Sequence, residues 1–128
     1  MRPARDSDMT DQAEDWIIQA EESSLTANKP TTVISNKVDT NEIFVVEWIG
    51  TNAGWDCELQ LKNKNDTIGE AIKGSLAPLG PKIDRYYLKP AILFEAGDHI
   101  NLVATVGTAT TTERKFAIGG WKIDKSRT

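Results

Sequence analysis

Residues 55–63 read WDCELQLKN, with Trp55, Cys57, Leu59 and Leu61 alternating with Asp56, Glu58, Gln60 and Lys62. A period of two puts the first set on one side of an extended chain and the second on the other. That is the pattern of an antiparallel strand with one buried and one wet face. Upstream, EIFVVEWIG (42–50) sets Ile43, Val45 and Ile49 against Phe44, Val46 and Trp48, so both faces are apolar. Such a strand is either central and covered on two sides or lies at a subunit contact.

The same period runs through the rest of the chain from Thr31. TTVIS (31–35) is a short strand, and NKVDTN (36–41) carries turn chemistry. KIDRYYLKP (82–90) alternates, AILF (91–94) forms a further strand, and HINLVATVG (99–107) places Ile100, Leu102, Ala104 and Val106 on a core face. The threonine-rich TATTTERKFAIGG (108–120) reads as a strand ending at Gly119 and Gly120, followed by a short strand around Trp121 and Ile123. Residues 67–81, with three glycines and two prolines, read as a long connection holding at most one short strand. About seven or eight strands with turn signals every ~8–12 residues predict an all-β fold, an antiparallel β-sandwich of jelly-roll type over residues 31–128.

Ahead of it the period changes. Met9, Ala13, Trp16, Ile17 and Ala20 fall at i, i+4, i+7, i+8 and i+11, a narrow stripe at helical spacing. Ser7 or Thr10 can cap such a helix, and Asp11, Glu14 and Asp15 suit its first turns. Pro30 turns the preceding residues away from helical geometry. Residues 1–30 are therefore expected to form a short N-terminal helical arm. A helix with so few large apolar residues needs something to dock against, either its own sandwich or a neighbouring subunit. Its five stripe residues are the first candidate interface; Phe44, Val46 and Trp48 are the second.

Composition narrows the classes. With 128 residues the chain fits one domain. One cysteine, Cys57, permits no internal disulfide, and one histidine cannot build a Cys/His metal site. Metal and cofactor are not expected. The opening residues lack the apolar run of a signal peptide, and no apolar run approaches the ~18 residues that span a bilayer. A net charge of −4 with scattered basic residues disfavours a nucleic-acid partner.

Three constellations invite chemistry. Glu95, Asp98 and His99 sit close in FEAGDHI, but a metal needs three or four convergent ligands. The pattern reads instead as a tight turn in which Gly97 takes positive φ and Asp98 bonds its own backbone. Cys57 lies on the apolar face of its strand and Ser75 lacks the G-x-S-x-G elbow, so neither is a catalytic nucleophile. No catalytic residue is expected. Trp55, after NAG, and Tyr86 and Tyr87 are candidate stacking platforms for a sugar or receptor ligand.

Residues 82–106 resemble the strand, turn and strand of small jelly-roll proteins of virus particles: an aromatic-rich strand, an apolar strand closing on AGD, then alternating INLVAT. The resemblance implies a virion component, a capsid decoration protein or single jelly-roll capsid protein, assembled in the host cytoplasm. It further implies partners among other capsid subunits, a homo-oligomer with a trimer favoured, and terminal arms that reach neighbours. The alternative is a carbohydrate- or receptor-binding sandwich at a tail or fibre tip.

Overall fold

The computed structural model describes residues 1–5, 13–53, 56–73, 84–110 and 113–124, with backbone alone for 69–73 and 84. Among these residues the chain is all-β, without a helix. The strands are β1 (Arg2–Pro3), β2 (Glu14–Glu22), β3 (Thr31–Lys37), β4 (Glu42–Thr51), β5 (Cys57–Asn63), β6 (Asp66–Lys73), β7 (Asp84–Phe94), β8 (His99–Val106) and β9 (Arg114–Asp124). Two antiparallel sheets form a sandwich, one ordered β1-β7-β4-β9-β2 and the other β3-β8-β5-β6.

The pairing has a simple logic. β5 pairs with β6, β4 with β7, β3 with β8 and β2 with β9, as along one long hairpin whose tip is the turn at Lys64 and Asn65. Doubling that hairpin over adds the β4–β9 and β5–β8 ladders. Phe44, Val46, Ile49, Phe94, Phe116 and Ile118 of the larger sheet then meet Ile34, Leu59, Leu61, Ile100, Leu102 and Ala104 of the smaller one. The alternation read in β5 and β8 is what feeds this core: Cys57, Leu59 and Leu61 are buried, as are Ile100, Leu102, Ala104 and Val106.

The helical arm is corrected. Glu14–Glu22 is a strand, hydrogen-bonded antiparallel to β9 from Glu14↔Lys122 to Glu22↔Arg114. Trp16 and Ala20, four apart, share a face in either conformation, so the stripe did not discriminate. Ile18 does: Trp16, Ile18 and Ala20 all pack against the inter-sheet core, which only a period of two allows. Trp16 stacks on Phe44 with centroids 5.0 Å apart. A helix this short is marginal in water, whereas the edge of β9 offers a full ladder to a segment rich in β-prone Trp and Ile. Met9 lies outside the described residues.

Three other boundaries shift. Residues 84–94 form one strand, not two; its register with β4 slips between Val46↔Ile92 and Trp48↔Tyr87, where a cis Lys89–Pro90 bond lies. Residues 114–124 also form one strand that runs through Gly119 and Gly120. Asp66–Lys73 is a full strand of eight residues within what read as a connection.

Candidate interaction surface

The outward face of the five-stranded sheet carries the unusual chemistry. Directly opposed residues of neighbouring strands share a face, so the registers trace rows across it. One row is Asp15, Trp121, Val45, Leu93 and Arg2, spanning all five strands. Val45, Leu93, Trp121 and Ile123 form a second apolar cluster here, outside the main core, against which Ala4, Ala13, Ile43 and Ala91 pack. Ala4 donates its N–H to the Ala91 carbonyl at 2.7 Å.

The adjacent row is Ile17, Gly119, Trp48 and Tyr87. Trp48 lies flat across Gly119: a Cβ there would stand 2.7 Å from the indole Nε1 and collide with the ring carbons beside it. Above the ring, the Arg85 guanidinium carbon sits 4.0 Å from the centroid. Glycine below and arginine above leave Trp48 only 6% exposed. The two ends of the row are open, Ile17 at 53% and Tyr87 at 54%. Tyr86, which faces the other way from its neighbour, is 42% exposed.

Phe44 and Val46 belong to the inter-sheet core, and Val45 on the opposite side is fully buried by the outer cluster. Strand 42–50 is thus the central strand covered on both faces by its own chain, and Phe44, Val46 and Trp48 do not form an open interface. Of the described residues of the stripe, Trp16 and Ala20 face the core, Ala13 packs on the outer cluster, and Ile17 points into solvent. Tyr86 and Tyr87 are exposed as a stacking platform requires, and Trp55 lies outside the described residues. The row itself was not legible in the sequence, because it depends on how three ladders register.

The remaining constellations are structural. Glu95, Asp98 and His99 form the turn that carries the chain from one sheet to the other. Gly97 has φ +88°, the Glu95 N–H donates to Asp98 Oδ2 at 2.9 Å, and the Asp98 N–H donates to the Glu95 carbonyl at 3.0 Å. Val38 clamps the turn, its N–H on the Asp98 carbonyl and its own carbonyl accepting from Gly97. The His99 N–H is held by Asn63 Oδ1 at 3.0 Å. Burial opposes ionisation of Asp98, but the Glu95 N–H, Asn63 and the Met1 amino group 3.2 Å away outweigh it and hold the carboxyl below its ordinary range.

A polar depression lies between the 39–42 turn and Asp124. Burial, then a hydrogen bond to Asp39, raises the Glu42 carboxyl, while Lys122 at 3.8 Å opposes the shift. Among the described residues no group of three or more His, Cys, Asp or Glu side chains could hold a metal. Burial and the flanking Asp56 and Glu58 push the Cys57 thiol up to about 12, which keeps it a protonated, inert core residue. No family model and no curated protein matches the sequence.

Proposed function

We propose that this chain is a structural, non-enzymatic virion protein, a capsid decoration or minor capsid subunit, whose sandwich is a jelly roll that assembles with its neighbours. The strand order carries the reading. β2-β9-β4-β7 facing β3-β8-β5-β6 is the order produced when one long hairpin is wrapped into two sheets, the double Greek key shared by viral capsid domains, lectins and cupins. Cupin chemistry needs several inward histidines and this chain has one. The segment that resembles small virion jelly rolls contains β7, the turn at Gly97 and β8, the strand-to-strand passage between the two sheets. The partners are further capsid subunits and copies of the chain itself, in a closed homo-oligomer with a trimer favoured.

Mass spectrometry of gradient-purified particles from the source of this gene tests the class. Co-purification at a fixed copy number per particle is the expected result; presence only in the soluble fraction of infected cells refutes it. A second reading, a glycan- or receptor-binding sandwich, draws on one observation, the exposure of Tyr86 and Tyr87. Tryptophan fluorescence titrated with a glycan panel checks it, because Trp48 lies directly opposite Tyr87.

A further inference from the structure

Among the described residues, four large apolar side chains are exposed: Met1, Ile17, Tyr86 and Tyr87. Apart from Met1, all of them lie on the two flanking strands of the same sheet. Ile17 is on β2 at one edge, and the tyrosines are on β7 toward the other. Ile17 and Tyr87 are, moreover, the two ends of a single cross-strand row. β1 covers β7 only at Leu93 and Ile92, with Ala4 bonded to Ala91. The stretch 85–88 has no further strand beside it among the described residues, and β2 has none beyond β9.

We propose that copies of this chain associate head to tail through these edges, β2 of one copy lying antiparallel beside residues 85–88 of β7 in the next. The proposal rests on the reading of the chain as an assembling structural protein and names the surface used. Direction permits it without inverting a copy. β2, β9, β4 and β7 alternate in sense, so the strand that continues the sheet past β7 must run as β2 does.

Extending the row across the seam sets Ile17 of one copy against Tyr87 of the next on the outer face. On the inner face it sets Ile18 against Tyr86, so every exposed large apolar side chain of the sheet is covered at once. The same register places Gln19 beside Arg85, with Glu21 on the diagonal from it, so an acidic residue of β2 approaches a basic residue of β7. An exposed edge strand is also a ready template for backbone pairing. Because the two surfaces differ, the contact is heterologous, the kind that builds a ring where its rotation closes and a filament where it does not.

Cysteine pairing tests the surface. Residues directly opposed on antiparallel strands have Cα atoms about 4.5–5.5 Å apart, within disulfide reach, and buried Cys57 does not compete. Ile17→Cys and Tyr87→Cys are prepared separately and oxidised alone and mixed. The expected result is a disulfide dimer in the mixture and none in either alone, with the Ile17→Cys/Tyr87→Cys double variant giving covalent oligomers.

Ile17→Asp and Tyr87→Asp, both at half-exposed positions and each checked for a cooperative unfolding transition, are expected to weaken association at least tenfold by light scattering. An oligomer that survives both aspartate variants, or crosslinks formed by either single cysteine alone, overturns this interface while leaving assembly standing. A wild-type chain that is monomeric at every concentration and absent from particles overturns both. Loss of glycan binding on Tyr87→Asp with no change in association assigns that edge to a ligand and overturns the proposal.

Discussion

Replacing Gly119 by alanine tests the packing that holds the outer row flat. The added Cβ would lie 2.7 Å from Trp48 Nε1 and 2.5 Å from Cε2, so the ring must rise by about 1 Å to reach ordinary carbon contact. It cannot rise freely, because Arg85 lies 4.0 Å above it and the side chain is 6% exposed. Overpacking of this kind costs ~1–3 kcal/mol, and disturbing the cation–π contact adds ~0.5–1 kcal/mol. Restricting the unfolded chain returns ~0.4–1 kcal/mol, since Gly119 does not have positive φ. The net expected loss is about 1–3 kcal/mol. Trp48→Leu removes the obstacle, so Gly119→Ala in that background should be neutral or slightly stabilising, with a coupling energy of at least ~1 kcal/mol. Gly120→Ala is the control. Its Cβ would collide with the Val45 carbonyl oxygen and lie 2.9 Å from the Glu47 nitrogen, main-chain atoms that no change at Trp48 relieves. Urea unfolding followed by far-UV circular dichroism, whose backbone signal does not depend on Trp48 being present, measures all five proteins. Additive losses in the Gly119→Ala/Trp48→Leu pair, within ~0.3 kcal/mol, would refute the stacked arrangement.

Thr110→Val should cost ~1–3 kcal/mol in the same assay, because Thr110 Oγ1 accepts the buried Leu25 N–H at 2.8 Å and valine would leave that donor unpaired. Trp16→Phe should change stability by no more than ~1 kcal/mol, since the buried indole Nε1 has no acceptor to lose, whereas Trp16→Ala removes the stack on Phe44 and should cost ~2–4 kcal/mol. Cys57 should stay unreactive to a thiol reagent in the native state and react on unfolding. Its pKa is raised by folding, so its contribution is whole below about pH 9 and falls by up to ~1.4 kcal/mol per pH unit as pH climbs toward 12. A Cys57→Ala variant that lost stability over that window just as steeply would contradict the assignment.

The sandwich was legible where a strand has one wet face, because there alternation and burial coincide. Cys57, Leu59 and Leu61 of β5 and Ile100, Leu102, Ala104 and Val106 of β8 are buried as their spacing predicts, and the Gly97 turn has the predicted φ and Asp98 bond. β2 was misread because Trp16 and Ala20 share a face in either conformation, while Ile17 fits the helical stripe and Ile18 the strand, and the β9 edge decides between them. Gly119 and Gly120 read as a strand end since glycine usually punctuates; here they are interior, one making room for an indole and the other for a carbonyl. Pro90 divided β7 for the same reason, though a register slip absorbs it. The Ile17–Trp48–Tyr87 row was out of reach, being a product of three ladders and two bulges rather than of any local pattern.

Strand 42–50 looked like a subunit contact because it is apolar on both faces, yet Val45 and Leu93 are covered by the chain's own outer cluster, and Trp48 by Arg85. Total apolar area is therefore not what argues for assembly: among the described residues most large apolar side chains are buried by the chain itself. Apart from Met1, the large apolar side chains left open among the described residues are few and placed with a direction, an isoleucine at one margin of a sheet and two tyrosines toward the other, with Ile17 and Tyr87 at the same level. Scattered single hydrophobic residues on a surface call for no explanation. Three on two strands of one sheet do, because a sheet is the one architecture whose margins can continue each other, and in the proposed contact the row that ends in Ile17 and Tyr87 is completed by the row of the next copy.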